Sequence, residues 1–240
     1  MRHTRFAALI DPDPTKQISV QSLKILAENV DIILHGGTPN ETLTEDEESY
    51  TLRSMDKVKS VITDGVPPIY IFPGSPSQVV PGADRVLYLF IPNSTDTFFG
   101  WGVQTMSIDD VLEDYPMKKL KSMMYLSRGG KVGEFAKIDQ DWRVSDFEKA
   151  AKITNLLGFE SLYLDGGSGG KAVDVEIVKK VSKILDSGKE LFVGGGINSV
   201  EKVKELIGLV DVIVIGTALE KNPKFAINVR KILDESQRRS

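Results

Sequence analysis

Three glycine-rich segments late in the chain carry the strongest chemical signal: Asp165-Gly166-Gly167-Ser168-Gly169-Gly170, Gly194-Gly195-Gly196-Ile197 and Gly216-Thr217, each directly behind a short apolar run. Glycine lets backbone amides approach a ligand and turn toward it. Amides at the start of a helix add a positive dipole end that suits phosphate. Ser168-Gly169, Gly195-Gly196 and Gly216-Thr217 would together offer several N–H donors and two hydroxyls to one phosphoryl group. The competing reading is that these glycines only make tight strand-to-helix turns, and three such segments in succession weigh against it. Neither common nucleotide fingerprint is present: there is no Gly-x-x-x-x-Gly-Lys-Ser/Thr run, and Gly194-Gly195-Gly196 lacks the Gly-x-Gly-x-x-Gly spacing.

Two carboxylates stand at predicted strand ends. Asp11, inside Leu9-Ile10-Asp11-Pro12-Asp13, reads as catalytic or metal-binding, or as a turn aspartate satisfying local amides before Pro12. Mg²⁺ often takes only one or two protein carboxylates and completes its shell with substrate phosphates and water. Thr38, at the end of the second strand, would lie near Asp11, whereas Asp13 reads as a more exposed turn residue. Asp165 follows Leu162-Tyr163-Leu164 and points at whatever fills the cradle, in reach to act as general base toward a substrate hydroxyl. Tyr163 shares the strand face of Asp165, either at the barrel mouth or as a core aromatic. His35 reads as structural or as a ligand contact rather than as an acid. Arg128 and Lys131, beside Gly129-Gly130, are diphosphate contacts or solvated charges. The acidic run 45–48 reads as the first turn of a helix, where negative charge is stabilising. Val79, Val80, Phe98, Phe99 and Trp101 form either an apolar groove or ordinary helix packing.

The elements that must position these residues alternate. Strands are predicted over 6–10, 31–34, 68–72, 85–91, 122–126, 161–164, 190–193 and 211–215. Helices are predicted over 20–30, 45–63 and 144–157, through 185, and from about 200 and 225, with a C-terminal stop at Gly158. Repeated strand-then-helix units imply a parallel sheet covered by helices. Eight units in 240 residues predict an α/β fold of the (β/α)8 TIM-barrel type, one domain over 1–240, in preference to an open doubly wound sheet. In such a barrel the glycine clusters share the face where active sites sit.

Composition narrows the field. A net charge of -4, from 30 basic and 34 acidic residues, argues against a nucleic-acid partner. The absence of cysteine excludes disulfides, thiolate catalysis and Cys-zinc sites, and two histidines cannot build a multi-His centre. Any metal is expected to be a hard, oxygen-bound cation such as Mg²⁺. The apolar stretch behind Met1-Arg2-His3-Thr4-Arg5 is too short for a signal segment, so the protein is expected in the cytoplasm, with transient membrane-surface contact if its substrate is a lipid.

With these residues in place, the chain resembles the geranylgeranylglyceryl phosphate synthases, the prenyltransferase barrels that include the bacterial heptaprenylglyceryl phosphate synthases. The landmarks run in the family's order: Leu9-Ile10-Asp11-Pro12-Asp13, His35-Gly36-Gly37-Thr38, Phe72-Pro73-Gly74-Ser75, Asn93-Ser94, Tyr163-Leu164-Asp165, Gly167-Ser168-Gly169, Gly194-Gly195-Gly196-Ile197 and Gly216-Thr217. The resemblance implies a prenyltransferase of lipid biosynthesis that joins sn-glycerol-1-phosphate to a polyprenyl diphosphate, in the first instance geranylgeranyl, through an ether bond. It implies Mg²⁺ at Asp11 with Thr38 beside the diphosphate, and glycerol phosphate on Tyr163, Ser168, Gly169, Gly194, Gly195, Gly196, Gly216 and Thr217. Asp165 stands where the family has a glutamate, proposed to take the hydroxyl proton. A lysine usual close behind the first aspartate is displaced to Lys16 by Pro14-Thr15. The family also leads to the expectation of a homo-oligomer. A sugar-phosphate isomerase or aldolase on the same barrel, and a ligand-binding paralogue without chemistry, are the competing readings.

Overall fold

Apolar runs of three to eight residues form eight strands: β1 (Arg5–Ile10), β2 (Ile32–His35), β3 (Ile69–Ile71), β4 (Arg85–Phe90), β5 (Leu120–Ser127), β6 (Ser161–Asp165), β7 (Glu190–Gly194) and β8 (Val212–Ile215). Each pairs in parallel with the next, and β1 pairs with β8 through Arg5 opposite Val212, so the sheet closes. The computed structural model describes residues 2–167 and 171–238. Side chains alternate across each strand. One set, including Ala7, Leu34, Met123, Tyr125, Tyr163, Phe192 and Val214, fills the barrel interior. The other, including Phe6, Ile33, Val86, Leu164 and Ile213, packs under the helices. Burial on both faces explains why the middles of these strands are apolar on both sides, with charged residues such as Arg5, Arg85 and Glu190 at their starts.

The outer layer comprises α1 (Val20–Asn29), α2 (Glu47–Lys59), α3 (Val103–Asp114), α4 (Gly130–Phe135), α5 (Val144–Leu156), α6 (Val175–Ile184), α7 (Val200–Leu206), α8 (Thr217–Lys221) and α9 (Phe225–Gln237). Side-chain oxygens of Ser19, Asp46, Asp174 and Ser199 cap four of them by accepting a backbone N–H. Gly158, at φ 75, lies just past the end of α5, the left-handed stop predicted from sequence.

The third unit departs from the repeat. Only the 3-10 turn Pro76–Gln78 stands between β3 and β4, and a π-helical turn, Phe98–Gly102, leads into α3. With no full helix covering that flank, the barrel mouth extends sideways toward α3.

The opposite end is sealed by charge. Arg2 pairs with Asp211, and Glu190 bridges Arg5 and Lys121. Partial burial works to raise the Glu190 pKa, but the hydrogen bond and charge of Lys121, then Arg5, outweigh it and hold the carboxylate below its ordinary value.

Candidate active site

The C-terminal strand ends enclose one cavity of about 530 Å³. Its polar end is lined by Asp11, Lys16, Gly37, Thr38, Asp165, Gly195, Gly196, Gly216 and Thr217. An apolar arm continues past Phe72 and Val79 to Leu89, Phe99 and Val111.

Asp165 closes β6. Its Oδ2 accepts from Tyr125 Oη (2.7 Å) and Ser127 Oγ (3.2 Å), and a backbone N–H of Gly167 also bonds the carboxylate. Burial raises its pKa above the ordinary carboxylate value, and these bonds recover part of the shift. A carboxylate raised toward neutrality suits a general base. Burial, then the charge of Asp165, pushes the phenols of Tyr125 and Tyr163 well above their usual pKa, so both remain protonated. Tyr125, Tyr163 and Phe72 form the aromatic floor, with ring centroids 5.1 to 5.7 Å apart.

The glycines here make room for other groups. Gly195 sits at φ 76, and a Cβ on it would lie 2.4 Å from Asp165 Oδ1 and 2.5 Å from the Gly167 amide nitrogen. Gly194, which the resemblance places on glycerol phosphate, packs against Tyr163. It does not line the cavity, and a Cβ there would lie 2.0 Å from Tyr163 Oη, so its small size accommodates the phenol. Ser168 and Gly169 lie outside the described residues.

Across the mouth, Asp11 follows β1. Its Oδ1 accepts the Asp13 N–H (3.1 Å), and its Oδ2 is paired with Lys16. Gly37 lies flat against this carboxylate, with its missing Cβ 2.6 Å from Oδ2. Asp13, expected to be exposed, is buried: it accepts from Thr15 and from Asn40 Nδ2 (2.9 Å) and organises the β1 loop. Among the described residues no group of three or more His, Asp or Glu side chains would hold a cation unaided. Asp11 and Thr38 offer hard oxygen donors at the cavity edge, an incomplete set that fits Mg²⁺ shared with phosphate oxygens.

Gln78 and Glu47 were not singled out by sequence reasoning. Gln78 Oε1 accepts the N–H groups of Gly37 (3.0 Å) and Gly74 (2.9 Å), while its Nε2 donates to Glu47 Oε1 (2.8 Å). Ser75 Oγ donates to the other Glu47 oxygen (2.5 Å). This network joins the loops after β2 and β3, and Glu47 therefore does more than favour the start of α2.

The remaining candidates separate. His35 is fully buried on the outer face of β2, its Nε2 2.9 Å from Ser54 Oγ, and burial lowers its pKa to about 4. It is structural. Lys131 lines the cavity, whereas Arg128 stacks on Phe147 at 5.5 Å. Of the five apolar candidates, Val79 and Phe99 line the arm; Val80 is core, and Phe98 and Trp101 are exposed outside it.

A closed (β/α)8 barrel whose C-terminal mouth is lined by Asp165 after β6, Gly195 and Gly196 after β7, and Gly216 and Thr217 after β8 defines a TIM-barrel protein with its candidate site at the strand ends. The profile of the PcrB family matches residues 1–235, and the chain belongs to that family. The geranylgeranylglyceryl phosphate synthase of Ignicoccus hospitalis is 32% identical over 244 residues, covering 93% of this chain and 91% of its own. The enzyme of the same name from Hyperthermus butylicus is 30% identical over 231 residues, covering 91% and 90%. The (S)-3-O-geranylgeranylglyceryl phosphate synthase of Thermoplasma acidophilum, solved in complex with its substrate sn-glycerol-1-phosphate, superposes with a TM-score of 0.77 at 27% identity, covering 96% of this chain and 92% of its own.

Proposed function

We propose that this protein is a prenyltransferase that joins the free hydroxyl of sn-glycerol-1-phosphate to the allylic carbon of a polyprenyl diphosphate. The observation that carries the reading is the continuity of one cavity, from the glycine loops and the buried Asp165 to an apolar arm. A sugar-phosphate enzyme has no use for such an arm. The named relatives support the same activity.

The loops at Gly195-Gly196 and Gly216-Thr217 hold the phosphoryl end of the acceptor. Asp165 takes the hydroxyl proton, and burial, by raising its pKa above the ordinary carboxylate value, makes it a stronger base for that proton. The acceptor oxygen bonds to the allylic carbon as the carbon–diphosphate bond breaks, and diphosphate leaves with the bonding pair. Tyr125 holds Asp165 in place through the 2.7 Å hydrogen bond. Asp11 and Thr38 would hold Mg²⁺, which when bound neutralises charge on the leaving diphosphate. Val79, Leu89 and Phe99 receive the prenyl chain. Fixing two reactants in this geometry can lower the barrier by up to ~7–11 kcal/mol.

The test is direct. The purified chain is mixed with glycerol phosphate and prenyl diphosphates of graded length, and diphosphate release is followed with Mg²⁺ and with a chelator. Release that needs both substrates and the metal is expected. Release with no chain length would refute the proposal.

A further inference from the structure

The ion pair at the mouth sets a condition that the proposed reaction does not by itself require. Lys16 ends the 3-10 turn Pro14–Lys16, and its ammonium is paired with Asp11 Oδ2. The other carboxylate oxygen already accepts the Asp13 N–H, and Gly37 closes the side of Oδ2. Both oxygens of Asp11 are thus engaged by the chain on the carboxylate that would meet a cation. Lys16 also lines the common cavity, as do Thr217, Lys131 and Glu220. Glu220, exposed on α8, lies within electrostatic reach of Lys16, Asp11, Lys131 and Asp13. A lysine has a flexible four-carbon stem and three donors. Its ammonium can leave Asp11 and remain inside the same mouth.

We propose that Lys16 makes cation binding conditional on the diphosphate, holding Asp11 in the free protein and passing to phosphate oxygens when metal and diphosphate arrive together. This rests on the reading of Asp11 as the metal carboxylate. A metal ion alone must displace an ammonium and then sit beside its positive charge. A metal–diphosphate complex carries net negative charge and offers the displaced ammonium new partners. Metal and diphosphate are therefore coupled through one side chain, and coupling of this kind is reciprocal. No covalent bond changes in the exchange.

The test uses Mn²⁺ and inorganic diphosphate on the full chain, with bound Mn²⁺ read from loss of the free-ion paramagnetic resonance signal. Lys16→Met keeps most of the stem and removes the charge; Lys16→Arg keeps the charge. Mn²⁺ alone is expected to bind Lys16→Met about fivefold more tightly than the parent, the upper range for a partly exposed pair. Mn²⁺ with diphosphate is expected to bind Lys16→Met more weakly by a similar factor, and Lys16→Arg to follow the parent in both. Damage to the fold would weaken both affinities, so opposite signs separate the exchange from a structural role. Changes of one sign, or an Asp11-dependent Mn²⁺ site indifferent to Lys16, would overturn the inference alone. Equal Mn²⁺ affinity in Asp11→Asn would remove the metal assignment, and the inference with it.

Discussion

Gly195→Ala isolates the geometry on which the chemistry depends. Any side chain at φ 76 carries left-handed strain, about 1–2 kcal/mol for alanine. The new methyl would also lie 2.4 Å from Asp165 Oδ1 and 2.5 Å from the Gly167 nitrogen, whereas ordinary contact begins at 3.4 Å. Relief requires the carboxylate or the β6 loop to retreat by about 1 Å, a misplacement that can cost ~10²-fold in rate. Gly188→Ala is the control, because Gly188 sits at φ 95 with no atom within 4 Å of its missing Cβ. It shares the strain and not the overlap. Gly188→Ala is expected to lose about 2–8 °C in melting temperature, and Gly195→Ala at least as much. Only Gly195→Ala is expected to lose about 10²-fold in kcat, measured as diphosphate release at saturating substrates. A Gly195→Ala rate within about threefold of the parent, or an equal loss in Gly188→Ala, would refute the argument that this contact sets the base.

Tyr125→Phe removes a hydrogen bond that lowers the Asp165 pKa, so the acidic limb of the kcat/KM profile should move to higher pH; an unmoved limb would mean Asp165 is not the titrating base. Asp165→Glu places a longer carboxylate in a pocket already closed by Gly195, Tyr125 and Ser127, and a loss of about tenfold or more in kcat is expected. A gain would instead mark the parent as an impaired enzyme. Gln78→Leu leaves the Gly37 and Gly74 amides without their acceptor, about 1–3 kcal/mol each when buried. It should raise KM for the prenyl diphosphate more than KM for glycerol phosphate, and a uniform change would count against its control of the Asp11 corner. His35 has a folded pKa of about 4 against 6.5 when unfolded, so the unfolded chain takes up the proton first as pH falls. Stability should drop by roughly 3 kcal/mol between those values. Urea unfolding of His35→Met across the same window should lose most of that slope.

The strand ends were legible because each pairs an apolar run with an abrupt glycine or aspartate. Asp165, Gly195 and Thr217 all open onto one cavity, together with Asp11 and Thr38. Helix starts at Val20, Val144, Val200 and Phe225 were also readable, two of them behind serine caps. Residues 98–114 escaped assignment because the π turn Phe98–Gly102 shifts the helical phase before α3 begins. That shift put Phe98 and Trp101 outside and Phe99 inside, an outcome that side-chain type alone does not encode. Gln78 and Glu47 are residue types common on surfaces, and their roles appear only when the loops after β2 and β3 meet. Gly194 was legible as glycine, but its reason, the Tyr163 phenol beside it, is a cross-strand contact.

The seam between β1 and β8 has a consequence for how the working molecule comes into being. Thr4 Oγ1 donates to Val210 O (2.7 Å), so the approach to the first strand is held by a residue 206 positions further along the chain. Asp11 lies on the loop after the first strand, Gly216 and Thr217 just after the eighth. A chain that stops short of the final strand owns no complete mouth. Severing the chain between its fourth and fifth strands would put Asp11 on one fragment and Asp165, Gly195 and Thr217 on the other, so that catalysis would report reassembly of the two halves.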